Sequence, residues 1–410
     1  GGTTKYKFIG KIVEITPDPF VLQKRTVLVT VADYMNEALT HNIKLVDVQA
    51  SKRPNECLTA VVANMPNAPT SASDATDADT YTYGLNDMVD EKMSAMTAMQ
   101  HIGASSLGYI FVKDNDTLAY ETRTTRLQRS SVFTLTNTMV AMDMRRTAED
   151  IINTAKVSIP SAKVDAAAVA LYTLQNEIAL PPSGTYTFTA RFVDPSGLSQ
   201  RVSMVADSEK TMVADDDYKM SSSSKDGGNS LNAQLGISIT WGGNSASITL
   251  TNNFAGGYGY VNKLILSARG IYLYYPIEFI ETDATSKTTH GDYSESYNAY
   301  YNDSANFGKA LAKEIIRRQK NPHSKVEPVE YIGNDNATNM AQARDGQIGD
   351  KITVTETVTG INTNWFINGI EYSLENGAVL RVKYILEPVW ATGLFILNVS
   401  VLDGTDVLYF

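Results

Sequence analysis

Apolar and polar residues trade places at every second position in segment after segment of this chain, the pattern of strands that bury one face. Arg25-Thr-Val-Leu-Val-Thr-Val31 puts Val27, Val29 and Val31 on one side, and Tyr6, Phe8, Ile12 and Ile15 sit in a strand-like opening. Residues 235–252 read as a hairpin. Ile237, Ile239 and Trp241 go out, Gly242-Gly243-Asn244 turns the chain, and Ala246, Ile248 and Leu250 return. Gly and Asn at the turn suggest positive φ. A chain so patterned must be built mainly from antiparallel sheet.

Helical periodicity is confined to three segments. Ser51–Met65 carries Leu58, Val61, Val62 and Met65 on one face, with Ser51 as the expected cap and Pro54 in the first turn. Glu91–Ile102 carries a stripe of Met93, Met96, Met99 and Ile102, which reads as a core-facing face rather than a soft partner surface. Ser304–Lys320 carries Phe307, Leu311, Ile315 and Ile316, and its cationic end complements the helix dipole. Two polar stretches, 66–80 and 221–230, read as a linker and a flexible inter-strand loop.

The expected order is a strand-rich start (1–32), an α/β part (33–130), a β-rich block (131–290), a helix-containing segment (291–350) and a closing β-module (351–410). The fold class is mainly β with α+β parts and one strong amphipathic helix. Neither disorder nor a bilayer span is expected: 43% of residues are hydrophobic, and no apolar run approaches the ~18–20 residues a spanning helix needs. The net charge is −10 with Lys and Arg scattered, which argues against binding nucleic acid by charge. One cysteine, Cys57, precludes an intrachain disulfide. The chain opens Gly1-Gly2-Thr3-Thr4 with no methionine and no signal-peptide pattern, so either a processed or partial chain or a start further upstream is expected.

Chemistry-bearing motifs are sparse. His41, His101, His290 and His323 are too far apart in sequence for a short zinc motif, and no nucleophile elbow or phosphate loop occurs. Cys57 lies on a predicted helix and reads as a buried thiol. Asp74, Asp77 and Asp79, the pair Asp114 and Asp116, and Asp215-Asp216-Asp217 lack calcium-loop spacing and read as turn acids. No catalytic residue, metal or cofactor is assigned. Tyr272, Tyr274, Tyr275, Tyr293, Tyr297, Tyr300 and Tyr301 could stack on sugars, though core or protein interface fits them better. A glycan-binding or glycan-cleaving adhesin is therefore the competing reading.

Three stretches carry a resemblance. They are Phe8–Pro17 with Arg25–Met35, the helix 51–65 after Val46-Asp-Val48, and 348–356 with 366–372 and 380–388. Together with the end Val401–Phe410, they resemble phage tail-tip (baseplate) hub and minor tail proteins. The resemblance implies tail-tube-like β-barrel domains decorated by small α/β domains, and a virion tail-tip location. It also implies a ring, a homotrimer, that closes the tail tube and takes part in host attachment and DNA delivery. The implied partners are tube, distal tail, tape measure or tip proteins, with DNA met only in passage.

The chain ends on an apolar hairpin with a turn at Asp403-Gly404. Leaving its side chains in water forfeits roughly 1.5–3 kcal/mol for each one that could be buried. Residues 389–410 are thus expected to dock on their own barrel or on a neighbour, with Trp390, Phe395, Leu397, Leu408, Tyr409 and Phe410 as candidate intersubunit contacts.

Overall fold

The computed structural model describes residues 7–17, 27–67, 69, 71–73, 80–87, 93–146, 150–322, 324–375 and 377–389. The fold is mainly β with α parts. Its described helices are α1 (Tyr34–Thr40), α2 (Pro54–Ala63), α3 (Ala95–Ser106), α4 (Arg123–Gln128), α5 (Ala284–His290), α6 (Ala305–Gln319) and α7 (Ala337–Asp345).

Four hydrophobic cores are formed among the described residues. The first packs α1, α2 and α3 on short strands, with Cys57, Leu58, Val61, Met99, Ile102 and Tyr120 buried. Pro54 opens α2 as expected, but the N-cap is Arg53, whose backbone N–H donates to Glu56 at 2.8 Å. Ser51 instead lies in the strand Gln49–Lys52, with φ +53°. Ser94 caps α3, and the methionine stripe faces the core: Met99 and Ile102 are buried, while Met93 and Met96 are partly buried against them. Part of the expected linker is sheet, since Ser71–Ser73 pairs in parallel with Leu118–Glu121.

The second core lies between the antiparallel strands of 169–274. Leu235–Trp241 pairs with Ser245–Asn252 in the expected register, Trp241 opposite Ala246. The tip glycines are there for a different reason than the turn chemistry suggested. Neither Gly242 nor Gly243 is among the positive-φ residues. A Cβ on Gly242 would lie 2.8 Å from Leu45 Cα, and one on Gly243 would lie 2.7 Å from the Val46 carbonyl oxygen. The Gly243 N–H donates to that same oxygen at 2.9 Å, so the hairpin tip is seated on the α/β module. The expected flexible loop 221–230 is a short hairpin, Tyr218–Ser223 against Gly227–Ser230, turned by Lys225 and Asp226 at positive φ.

The third core belongs to a six-stranded open sheet. Its strand order is Thr134–Leu135, Lys351–Glu356, Ile361–Glu375, Val379–Pro388, Ser324–Ile332 and Met139–Arg146. The fourth core is α6 laid on Thr154–Ile159, Ile277–Thr282 and Ser294–Asn298. Ser304 caps α6, and Leu311, Ile315 and Ile316 are buried. Arg317 and Arg318 at its end both bond Glu314, at 2.8 and 2.5 Å.

Candidate assembly surface

Strands Lys11–Pro17 and Val27–Ala32 form a two-stranded antiparallel ribbon that pairs with no other described strand. Its register sorts the side chains. Ile12 faces Val31, Ile15 faces Val29 and Pro17 faces Val27, so these six occupy one side. Lys11, Glu14, Thr16 and Thr30 occupy the other with Leu28 and Ala32. Such alternation normally puts the apolar side on a core. Here that side is open: Ile12 is 61% exposed, Ile15 60% and Val27 55%. The valines that alternation singled out are therefore on one face, as read, and among the described residues none covers that face. Polar contacts tie the base of the ribbon to the rest of the described residues. Lys11 Nζ meets Glu37 of α1 at 2.6 Å, and Lys7 Nζ meets Asp114 at 3.3 Å and the Gly346 carbonyl at 3.0 Å.

The open sheet offers a second unfinished surface. One of its edges is the two-residue strand Thr134–Leu135; the other is the eight-residue strand Met139–Arg146. That longer strand pairs on one side with Ser324–Ile332 and on the other with no described strand. Val140 and Met144 on it are exposed.

The strongest polar constellation sits elsewhere, beside a cleft of about 290 Å³ lined by Asp87, His101, Arg201, Tyr274, Asn298 and Tyr300, among others. His101 Nδ1 lies 2.7 Å from one Asp87 oxygen, and the Tyr301 hydroxyl donates to the other at 2.6 Å. The His101 ring stacks on Tyr300 with centroids 3.6 Å apart. Burial, reinforced by the Asp87 charge, pushes the Tyr301 hydroxyl well above its ordinary value. Both Asp87 oxygens are thus engaged internally, and the network ties α3 to the strand segment before α6. The tyrosines divide accordingly. Tyr272 and Tyr301 are buried, Tyr293, Tyr297 and Tyr300 are half-buried, Tyr274 reaches the cleft and Tyr275 is exposed.

Other candidate residues disperse. Asp114 and Asp116 lie in the turn after Tyr109–Val112. Asp217 is buried and bonded by Lys210 and the Val213 N–H. Cys57 is fully buried, and burial pushes its thiol up to about 12. Among the described residues no three His, Cys, Asp or Glu side chains converge as metal ligands, and no helix is long and apolar enough to cross a membrane. Asp74, Asp77, Asp79, His323 and the terminal set Trp390, Phe395, Leu397, Leu408, Tyr409 and Phe410 lie outside the described residues.

Sequence reading missed a buried ionic junction. Arg126 of α4 stacks on Tyr109 at 3.6 Å and on Phe366 at 4.4 Å, and it bonds Asn368 and Glu387 of the open sheet. Nearby, Arg129 bonds buried Glu121 at 2.5 Å. The junction fastens the α/β module to the six-stranded sheet. Its members are scattered over some 260 positions between Arg126 and Glu387, so local pattern carried no signal of it.

No family model matches the chain, and no curated protein matches it. Several solved structures are similar to it. One is a tail protein from Neisseria meningitidis MC58, at 10% identity over 93% of this chain and 80% of that one, with TM-score 0.49. Another is the 43 kDa tail protein of prophage MuSo2 from Shewanella oneidensis, at 9% identity over 94% and 80%, with TM-score 0.47. A third is prophage tail protein gp18 from Listeria monocytogenes EGD-e, at 9% identity over 94% and 81%, with TM-score 0.42. Likeness at this level fixes neither fold nor function.

Proposed function

We propose that this chain is a structural subunit of a phage tail, placed at the tail tip or baseplate hub, and that its work is assembly rather than catalysis. The observation that carries the reading is the ribbon 11–17/27–32. Among the described residues, four cores are consolidated while one amphipathic ribbon keeps its apolar side exposed. Exposed apolar strands are aggregation hazards that folded proteins suppress unless a partner covers them. The motifs in 8–35, 46–65 and 348–388 that resemble tail-tip proteins supply the identity of the assembly.

In this reading the chain forms a ring, three copies around the tube axis, and contacts other tail proteins above and below. DNA meets it only in passage. A net charge of −10 suits a lumen that passes a duplex without holding it. Mass photometry of the full chain across the micromolar range, with imaging of the particle that carries it, tests the proposal. A ring at one end of a tail tube is the expected result. A chain found outside any tail would overturn it.

A further inference from the structure

The cleft beside the Asp87–His101 pair has no part in the assembly reading, and we infer that it is a binding site for a neutral saccharide, one or two sugar rings in size. The site stands or falls apart from the tail assignment, since no residue of the ribbon lines it.

Place and size fit a ligand site. As the described residues form it, the cleft measures about 290 Å³, at the small end of natural ligand pockets. It opens where three of the cores meet, and ligand sites favour such junctions. His101 comes from α3 of the first core. Arg201 and Leu273 come from paired strands beside the second, and Ile159 and Asn298 from the strands under α6. The backbone around the cleft is fixed by its own hydrogen bonds. The Gln200 N–H donates to the Leu273 carbonyl at 2.8 Å, the Tyr274 N–H to that of Ser161 at 2.9 Å, and the Ala299 N–H to that of Ser158 at 2.9 Å. A site held this way loses little conformational entropy on binding.

The polar groups define the ligand's chemistry. Ionised Asp87 can only accept, and its two oxygens accept from the Tyr301 hydroxyl and from His101 Nδ1. The neutral imidazole therefore keeps Nε2 as an acceptor. The His101 side chain is 16% exposed against 5% for Asp87, so the opening meets the imidazole rather than the carboxylate. Around it stand the amides of Asn86, Gln200 and Asn298, each with a donor end and an acceptor end, and the donor-only guanidinium of Arg201. A sugar hydroxyl both donates and accepts, so it satisfies either kind of group. A carboxylate ligand would accept from Arg201 but leave Nε2 and the amide carbonyls without a donor, and an apolar ligand would leave all of them unpaired. With Asp87 negative and Arg201 positive, the formal charges lining the cleft cancel, which favours a neutral ligand over an ion.

The aromatic side completes the match. Tyr301 is buried as a brace, and Tyr300 gives one face of its ring to His101. Tyr274 is half-buried and lines the cleft with Leu273 and Ile159. A flat amphipathic ring with apolar neighbours suits the C–H face of a pyranose, while the amides suit its hydroxyl edge.

Saturation-transfer difference NMR on the full chain tests this. The probes are glucose, galactose, rhamnose, N-acetylglucosamine, cellobiose, lactose and diacetylchitobiose, with glucuronate as the charged comparison. At least one neutral sugar should receive saturation, and glucuronate should bind no better than glucose. Tyr274→Ala and Asn298→Ala should each weaken the bound sugar at least tenfold with the melting temperature of the subunit unchanged. Neither residue belongs to the Asp87 network, and the exposed Asn298 keeps the test decisive if loss of Tyr274 costs stability. Transfer to no neutral sugar of the panel overturns the inference. Preference for glucuronate overturns it in favour of an anionic ligand held by Arg201. Binding that survives both substitutions overturns it by placing the sugar elsewhere. Each of these results leaves the tail reading untouched.

Discussion

Replacing Arg126 with Ala should separate the α/β module from the open sheet at a definable cost. The guanidinium is 3% exposed and sits between the Tyr109 and Phe366 rings. Burial lowers its affinity for the proton, and Tyr109 and Glu387 oppose that. Removing one partner of a buried ion pair costs about 3–5 kcal/mol. The Glu387 side chain retains 27% exposure, so water recovers part of its solvation and the pair term falls toward about 2 kcal/mol. Loss of the stacked cation adds about 1–2 kcal/mol. The expected total is about 3–4 kcal/mol. Urea unfolding followed by tryptophan fluorescence reads it, because Trp365 adjoins Phe366 in the sheet. Arg126→Lys should recover only part, since an ammonium lacks the planar fork that stacks and bonds at once. A loss below about 1 kcal/mol for Arg126→Ala would refute the assignment of this junction as the fastening.

Three further outcomes are expected. Burial alone would raise the Glu314 carboxyl, but Arg317 and Arg318 outweigh it and hold its pKa below the ordinary 4.5. The stability this gives is present above that value and is lost as pH falls through the lower folded value; Glu314→Gln should lower the melting temperature at neutral pH and flatten the acid limb. Gly242→Val should destabilise by about 1–3 kcal/mol, because its Cβ meets the Leu45 backbone rather than a movable side chain; a neutral result in thermal melts would remove the hairpin tip from the module contact. Native Cys57 should resist thiol reagents until the protein unfolds, and rapid labelling at pH 8 would contradict its burial.

What the sequence made legible was local. The alternation at 235–252 and the apolar stripe of α6 depend on neighbours a few residues away, and each was readable. Cap placement at α2 went wrong because Ser51 is drawn into a strand and Glu56 serves the backbone N–H of Arg53 instead. The glycines of 242–243 were read as turn residues, whereas their reason is a chain segment about 200 positions away in sequence, at Leu45 and Val46. Long-range pairing was equally out of reach. Met139–Arg146 lies beside Ser324–Ile332, and no periodicity links two strands so far apart. The candidate surface was half legible: one-sided valines were plain at 27–31, but only the fold shows that among the described residues none covers them.

The central claim is that the chain builds a ring in a phage tail, and imaging of the particle that contains it tests this most directly. Cryo-microscopy of tails carrying a small tag on an exposed loop, such as Gly360 in the turn after Lys351–Glu356, would locate the chain. The account predicts three tags arranged around the tube axis at the tip. Tags along the tube, on fibres away from the axis, or on no tail structure at all would contradict it.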